Sequence, residues 1–336
     1  MKILLAEKIH EAGMTILEQA GKVMVSPSVS EEVIVEELKD ADAFVVRSSP
    51  VTRRMIQASP RLKVIGRHGI GVDNIDLEAA TERGVIVVNT PDANSMSVAE
   101  YVVMAMGYLA KRFKEADRAL REGLFNRDGS LPGLVTRLGF TCIELNGKTL
   151  GLVGFGRIGR LVARKCRDGF DMRVIAYDPY ISEEAIRQGG AVPRSDLESV
   201  FVEADVVSVH VPLSEETRGL IDMRYLRLMK PTAYLINAAR GGIVVEKDLY
   251  EILKEKRIAG AAIDVFEKEP PPPDHPFFTL DNVLVTPHMA AMTDGALKRM
   301  AEEVARDVVA VLKGERPRNL VNPQAWDETR FKENRL

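Results

Sequence analysis

The chain has 336 residues, of which 46% are hydrophobic, and this is enough to fill the cores of two domains of ordinary size. Charged residues make up 28% of the chain and are nearly balanced, leaving a net charge of −3. The chain therefore has no strong positive field to attract nucleic acid or anionic lipid, and we expect neither as a partner.

Signals for export, membrane insertion and metal binding are not found in the sequence. The amino-terminal segment MKILLAEKIHEAG lacks the apolar length and the cleavage site of a signal peptide. The longest apolar run, in YVVMAMGYLA, falls short of the roughly 18 residues that a membrane span needs. Cys142 and Cys166 have no CxxC spacing. We therefore expect a cytoplasmic protein with reduced cysteines, no membrane segment and no metal.

Short β-branched runs alternate with amphipathic segments through the first hundred residues. The predicted strands are KILLA, KVMVS, AFVVR, LKVIG and VIVVN. This alternation is typical of a parallel sheet covered by helices. The pattern then changes, because residues 97–123 indicate one long helix and residues 124–140 a polar, Gly-rich loop.

A second alternating series follows this loop. Its predicted strands are TLGLVGF, RVIAYD, DVVSVHVP, AYLINAA, AGAAIDVF and NVLVTP, the six strands that a dinucleotide-binding sheet requires. We therefore predict an α/β fold of two doubly wound parallel-sheet domains. A nucleotide-binding domain at 99–288 is inserted into a domain formed by 1–98 and 289–320, and 321–336 is predicted to be a frayed polar tail.

The segment TLGLVGFGRIGR contains a glycine pattern that favours a nucleotide site. Gly154, Gly156 and Gly159 have G-x-G-x-x-G spacing between a strand and a helix. In this motif the first glycine permits a tight turn, the second admits a pyrophosphate, and the third allows close helix–strand packing. The triplet alone also fits an ordinary turn, but Asp178 follows nineteen residues after Gly159, where an acid binds a ribose diol. Because this acid would repel a 2′-phosphate, we predict NAD rather than NADP.

Three reactive side chains follow later strands of the same series. They are Arg240 in LINAARGG, Glu269 before four prolines, and His288 in TPHMAA. The carboxyl ends of parallel strands meet at one edge of a sheet, so these residues are expected to converge there. Reduction of a 2-oxo acid needs a cation for its carboxylate, an acid for the nascent alkoxide, and a group that keeps that acid charged. Arg240, His288 and Glu269 suit these three needs in turn.

Each of these features also has a plain structural interpretation. A strand-end histidine is usually a surface residue, a proline run is usually an exposed linker, and ARGG can be a simple bend. Their joint occurrence behind a nucleotide loop favours catalysis. The remaining histidines, His10, His68, His210 and His275, are interpreted as structural.

Seven motifs resemble those of the D-isomer-specific 2-hydroxyacid dehydrogenase family in order and spacing, as far as about residue 320. They are GRHGIGVDNID, NTPDANSMSVAE, LNGKTLGLVGFGRIGR, HVPLSEETRGLI, NAARGGIV, AAIDVFEKEP and TPHMA. The resemblance implies a flavodoxin-like substrate domain around an inserted Rossmann domain, and homodimers formed largely through the inserted domain. It also implies an Arg–Glu–His catalytic set at Arg240, Glu269 and His288.

The same resemblance implies ligand contacts. The cofactor contacts would be Gly154, Gly156, Arg157, Ile158, Gly159, Asp178, Val211, Pro212, Thr217, Ala238, Arg240, Asp264, His288 and Ala291, with Asp264 beside the nicotinamide ring. The backbone N–H groups of Gly69, Ile70 and Gly71 would bind the substrate carboxylate, as an anion-binding nest does. We expect no regulatory domain after residue 320, unlike in long forms of phosphoglycerate dehydrogenase. Glu269 argues against the formate-oxidising branch of the family, which usually has glutamine there.

The substrate and one other class of function stay open. Arg47 and Arg67 follow two amino-terminal strands and would suit a phosphorylated substrate such as 3-phosphoglycerate. Surface arginines are common, however, and small 2-oxo acids such as glyoxylate or hydroxypyruvate are the broader expectation. The alternative is an NAD-sensing, corepressor-like binding protein on the same fold. The short polar tail and the balanced charge favour the enzyme.

Overall fold

The computed structural model describes residues 1–326, which divide into two units. The first unit is Met1–Ser95 together with the described residues from Ala291 onward, and the second is Met96–Ala290. The boundaries predicted from the sequence, after residues 98 and 288, differ from these by two or three residues. No helix within residues 1–326 is long and apolar enough to cross a membrane.

The first unit contains a parallel five-stranded sheet of order β2-β1-β3-β4-β5, the flavodoxin-like order. Its strands are β1 Lys2–Leu5, β2 Lys22–Val25, β3 Ala43–Val46, β4 Val64–Arg67 and β5 Ile86–Val88. The helices between them are α1 Glu11–Ala20, α2 Glu31–Leu38, α3 Arg53–Gln57 and α4 Leu77–Glu82. Hydrophobic cores lie on both faces of the sheet, which is why its central strands read as unbroken apolar runs. The five predicted strands are confirmed.

The second unit contains a parallel seven-stranded sheet of order β12-β11-β10-β9-β6-β7-β8. Its strands are β6 Thr149–Val153, β7 Arg173–Tyr177, β8 Val192–Pro193, β9 Val206–Val209, β10 Tyr234–Asn237, β11 Gly260–Ile263 and β12 Val283–Val285. Counted from β6, this is the Rossmann order 3-2-1-4-5-6 with one further strand at an edge. The six predicted strands are present, but the predicted number was one too low. The missing strand, β8, has only two residues and no apolar run.

The helices of the second unit differ from prediction before the glycine loop. They are α5 Ser95–Ala110, α6 Phe113–Arg121, α7 Leu131–Arg137, α8 Arg157–Phe170, α9 Glu183–Gln188, α10 Leu197–Glu203, α11 Met223–Leu226 and α12 Glu246–Lys254. The prediction of one helix over 97–123 is wrong, because Arg112 has a left-handed φ of 51° and separates α5 from α6. The predicted loop at 124–140 contains the short helix α7.

The chain returns to the first unit through α13, Asp294–Leu312, which buries one face against its sheet. The prediction of a frayed tail from residue 321 is wrong for its first residues. Asn322 is 4% exposed, and its side-chain oxygen accepts a hydrogen bond from the Val87 N–H at 2.7 Å. Its amide nitrogen donates to the Val85 carbonyl at 2.9 Å. The rest of the predicted tail, 327–336, lies outside the described residues.

Candidate active site

Glu269 and His288 form an ion pair in the second unit. The Nδ1 atom of His288 lies 2.8 Å from Oε2 of Glu269. The other carboxylate oxygen of Glu269 accepts a hydrogen bond from the Phe266 N–H at 3.1 Å. Both side chains are about 40% exposed (42% for His288 and 38% for Glu269), so the outer ring nitrogen of the imidazole can be reached by a small molecule.

The surroundings of Glu269 keep it ionised. Burial by itself would raise the pKa of this carboxyl group. The hydrogen bond and charge of His288 act in the opposite direction, as do the Phe266 N–H and the charge of Arg240, and the net effect lowers the pKa of Glu269. At neutral pH the group is therefore a carboxylate that favours a proton on the neighbouring imidazole.

Arg240 lies in a tight turn that packs against the Glu269 loop. Asn237, the last residue of β10, shapes this turn, since its side chain accepts from the Ala239 N–H at 3.1 Å and donates to the Arg240 carbonyl at 3.0 Å. A Cβ atom at Gly241 would lie 1.8 Å from the Phe266 carbonyl oxygen. The turn and the loop thus approach backbone to backbone, and only glycine permits that contact.

Asp264 fixes the backbone around His288. Its buried carboxylate accepts hydrogen bonds from the Met289 N–H at 2.8 Å, the Ala290 N–H at 2.9 Å and the Thr286 hydroxyl at 2.5 Å. Its carbonyl oxygen accepts from the His288 N–H at 2.7 Å. Burial raises the pKa of Asp264 although these donors oppose the shift. The carboxylate therefore holds the turn in which His288 has its left-handed φ of 52°.

The glycine loop has the geometry that a bound pyrophosphate requires. Gly154 has a φ of 93°, which disfavours a side chain, and a Cβ at Gly159 would lie 2.6 Å from the Gly154 carbonyl oxygen. A Cβ at Gly156 would meet no atom within 4 Å, so open space lies beside the backbone there. Gly156 is the N-cap of α8, and the first turn of a helix is a favourable position for a phosphate group. The loop fits the diphosphate of a dinucleotide.

Asp178 follows β7 and lies beside the glycine loop. Its Oδ2 accepts from the Phe155 N–H at 2.8 Å and its Oδ1 from the Tyr180 N–H at 2.9 Å. Each oxygen keeps a lone pair for a further donor. The carboxylate is thus oriented by the backbone at the position expected for a ribose contact.

The other candidate cofactor residues follow neighbouring strand ends of the same sheet. Arg157 and Ile158 begin α8, and the remaining candidates of this unit follow β9, β10 and β11: Val211, Pro212, Thr217, Ala238 and Asp264. The Thr217 hydroxyl donates to the Pro212 carbonyl at 2.6 Å, which closes that loop on itself. Ala291 lies on the other side of the unit boundary.

Two of the candidate substrate residues of the first unit, Arg47 and Arg67, place positive charge near the Gly69 loop. A Cβ at Gly69 would lie 2.4 Å from Nη1 of Arg67, so this guanidinium covers the loop backbone. Burial lowers the pKa of His68 to about 4, and the charges of Arg47 and Arg67 act in the same direction. The imidazole of His68 is therefore neutral at physiological pH.

One detail of this loop corrects the prediction. The Gly69 N–H donates to the Arg67 carbonyl at 2.9 Å and is not available to a substrate. For Ile70 and Gly71, no hydrogen-bond acceptor of the N–H group is found within residues 1–326. The Ile70 carbonyl instead accepts from the Asn89 side chain at 2.8 Å, which fixes the loop.

Several supporting residues were missed by the sequence reasoning. Tyr101 on α5 donates its phenol proton to Thr286 at 2.6 Å, because the Thr286 hydroxyl itself donates to Asp264. Asn237 is the polar last residue of the apolar strand β10 and Thr286 directly follows β12, and this placement is the sequence signal for their roles. His210, interpreted as structural, bonds Ser208 at 2.9 Å, and burial lowers its pKa to about 4.

Comparison with known proteins is consistent with this geometry. Residues 103–290 match the family model described as D-isomer specific 2-hydroxyacid dehydrogenase, NAD binding domain. The chain is 46% identical over 323 residues to a D-3-phosphoglycerate dehydrogenase of Methanocaldococcus jannaschii, covering 96% of this chain and 59% of that protein. It is 40% identical to a glyoxylate reductase of Korarchaeum cryptofilum, covering 96% of each chain. The chain spans about three fifths of the length of the first curated relatives that it matches.

A solved structure shows the same relationship. A D-lactate dehydrogenase from Aquifex aeolicus, in complex with NAD and lactic acid, superposes with a TM-score of 0.83 at 30% identity. The match covers 96% of this chain and 99% of that one. The chain belongs to the D-isomer specific 2-hydroxyacid dehydrogenase family.

Proposed function

We propose that the protein transfers a hydride between NAD(H) and a small D-2-hydroxy acid or its 2-oxo acid. The observation that carries this proposal is the 2.8 Å pair of Glu269 and His288, next to the Arg240 turn on a Rossmann sheet. Membership of the dehydrogenase family supports it. A corepressor-like protein on the same fold has no observation in its favour among the described residues.

NAD, when bound, supplies or accepts the hydride. Gly154, Gly156 and Gly159 would hold its diphosphate, and Asp178 its adenosine ribose. The remaining proposed cofactor contacts are Arg157, Ile158, Val211, Pro212, Thr217, Ala238, Arg240, Asp264, His288 and Ala291. The negative charge of Asp178 would disfavour a 2′-phosphate, which supports NAD as the cofactor.

His288 donates the proton during reduction and accepts it during oxidation. In the pair, Nδ1–H donates to Glu269, so the outer nitrogen, Nε2, faces outward and carries the proton that neutralises the substrate alkoxide. Each reduction consumes this proton, and it is replaced from solvent. Arg240 binds the substrate carboxylate with its guanidinium and polarises the adjacent carbonyl. Oxidation of the hydroxy acid reverses these steps, with the neutral imidazole as the base.

The substrate contacts of the first unit are proposed to be Ile70, Gly71, Arg47 and Arg67, without Gly69, whose N–H already bonds the Arg67 carbonyl. The N–H groups of Ile70 and Gly71 would bind a carboxylate. Glyoxylate and hydroxypyruvate need nothing more. The additional charge of Arg47 and Arg67 favours a phosphorylated acid, 3-phosphoglycerate, as a second candidate, and relatives bearing the name phosphoglycerate dehydrogenase are consistent with it.

A steady-state assay with NADH and a panel of 2-oxo acids tests this function. The panel contains glyoxylate, hydroxypyruvate and phosphohydroxypyruvate, and we expect reduction of at least one. If the phosphorylated acid is the substrate, Arg67→Ala should raise its KM strongly and leave that of glyoxylate nearly unchanged. If the protein reduces none of these acids, the proposed enzymatic function would be contradicted and the corepressor-like alternative would be favoured.

We also propose a homodimer formed through the second unit. Large apolar side chains of α5, α6 and α7 are exposed, including Met104 at 64%, Leu120 at 60% and Leu131 at 58%. Clustered exposed apolar residues usually mark an interaction surface. A cytoplasmic location is proposed as well, because Cys142 and Cys166 are both free thiols.

A further inference from the structure

The loop that carries Glu269 is hydrogen-bonded to a second carboxylate, that of Glu246, which lies outside the proposed catalytic set. Glu246 is the first residue of α12, and its Oε1 accepts from the Glu267 N–H at 2.7 Å. In return, Oε1 of Glu267 accepts from the Glu246 N–H at 3.1 Å. Two reciprocal hydrogen bonds thus join the start of the helix to the start of the loop.

His275 fastens the other end of the same loop to the same carboxylate. Its ring is buried (7% exposed), and Nδ1 accepts from the Phe277 N–H at 3.3 Å. The ring proton must therefore be on Nε2, which donates to Oε2 of Glu246 at 3.2 Å. Edge-on contact with the Phe266 ring, at 5.2 Å between centroids, packs the imidazole beneath the loop.

Glu269 lies between these two attachments. One of its oxygens bonds the Phe266 N–H and the other bonds His288. Since Glu267 and His275 both bind Glu246, a shift of either attachment moves the loop and with it the carboxylate of Glu269. A shift of about 1 Å is enough to weaken a hydrogen bond of 2.8 Å severely.

We propose that Glu246 and His275 are positioning residues that hold Glu269 at hydrogen-bond distance from His288. The catalytic meaning of this proposal rests on the proposed function. Its geometric content concerns only the Glu269–His288 pair and can be measured without a substrate.

The charged groups around His288 set the expected direction of the effect. Glu269 contacts the ring, Asp264 interacts with it through its charge, and Arg240 acts on Glu269. If Glu269 moves away, the imidazolium loses its nearest anion while the cation Arg240 remains. The His288 ring should then release its proton at a lower pH.

Two substitutions test the proposal. Glu246→Gln keeps the shape but cannot accept from both the Glu267 N–H and His275, because one end of the amide is a donor. His275→Phe keeps a ring in the same aromatic packing but removes the N–H that donates to Glu246. Glu251→Gln, an exposed glutamate of the same helix, is the matched control for the loss of charge. NMR titration of the His288 ring, assigned with His288→Asn, is the main measurement, with thermal unfolding and the pH–rate profile beside it.

We expect both variants to lower the titration midpoint of His288 by about half a pH unit or more, and kcat for reduction by about tenfold. Glu251→Gln should change neither. An unchanged midpoint in folded His275→Phe would overturn the proposal, as would a shift in Glu246→Gln alone, which would indicate a through-space charge effect. If His275→Phe does not fold, equal shifts in Glu246→Gln and Glu251→Gln would overturn it. A wild-type protein that reduces no 2-oxo acid would contradict the proposed function and leave the titration test intact.

Discussion

His288 has a backbone φ of 52°, in a region that residues other than glycine adopt rarely. Asp264 stabilises this conformation, because its carboxylate and carbonyl oxygens together accept from three successive N–H groups, those of residues 288, 289 and 290. The cost of the unusual backbone is thus offset locally by hydrogen bonds to a buried anion. The result is an imidazole whose orientation is set before any ligand binds.

Substitution of Glu269 by glutamine should move the pH dependence of reduction. In the proposed mechanism, reduction requires protonated His288 and should decline as pH rises. The Glu269 carboxylate, whose pKa is lowered in the folded protein, stabilises that proton at neutral pH. Glu269→Gln removes the negative charge, so the decline should occur at lower pH. The kcat/KM profile measures this shift, with the exposed Asp274→Asn of the same loop as control. A profile that stays in place would contradict the pairing.

Substitution of Asp178 by asparagine should weaken the preference for NAD over NADP. Asparagine keeps an oxygen that can accept from the Phe155 N–H and loses only the acceptor of the exposed Tyr180 N–H, while the charge that would repel a 2′-phosphate is removed. The ratio of kcat/KM for NADH and NADPH should therefore fall, mostly through a lower KM for NADPH. Asp168→Asn, an exposed change on α8, should leave the ratio unchanged. An unaltered ratio in Asp178→Asn would show that selectivity lies elsewhere.

The elements with the clearest signal in the sequence are the strands whose apolar runs are buried on both faces. β3 and β10 are buried at every position, and both were found as continuous hydrophobic runs. β8 was not predicted, because a strand of two residues at the sheet edge is too short to show an alternating or continuous apolar pattern. The break between α5 and α6 was not predicted either, since nothing in the local sequence marks Arg112 as left-handed. There the backbone follows tertiary packing rather than local propensity.

The contact between the Arg240 turn and the Glu269 loop makes Gly241 a sensitive position. In Gly241→Ala the new methyl group would overlap the Phe266 carbonyl oxygen, so the two segments must separate. We expect a loss of about 1–3 kcal/mol in the free energy of unfolding, and a fall in kcat. Gly107→Ala within α5, where a Cβ meets no atom within 4 Å, is the matched control and should stabilise the protein slightly. Denaturant unfolding measures both, and equal behaviour of the two variants would contradict the contact.

At the scale of the whole molecule, the sequence predicted which strand ends would meet but not how the loops support one another. Arg240, Glu269 and His288 follow β10, β11 and β12, which are neighbours in the sheet, so their convergence follows from the parallel topology. The reciprocal bonds of Glu246 and Glu267 join segments twenty-one residues apart. No local pattern encodes such a pairing, because each partner is an ordinary surface glutamate when considered alone.

The proposed homodimer predicts a solution mass of about twice 37.2 kDa. Sedimentation equilibrium at micromolar concentration measures this mass directly. Because Met104 and Leu120 are the most exposed apolar residues of α5 and α6, Met104→Glu with Leu120→Glu should favour the monomer. Val202→Glu, an exposed apolar position on α10, is the control and should leave the mass unchanged. A wild-type monomer would contradict the proposal.

The segment ending in Asn322 has a consequence for self-association. β5 is an outer strand of its sheet, and such strands present unpaired N–H and C=O groups to any similar strand. Here Leu320 forms an antiparallel bridge with Val88. The Val321 N–H donates to the Val87 carbonyl, and the side-chain oxygen of Asn322 accepts from the Val87 N–H. Residues 320–322 therefore cover the outer edge of β5 and satisfy its backbone hydrogen bonds. Removing these residues would leave that edge free to pair with the same edge of another copy, and hence would favour aggregation.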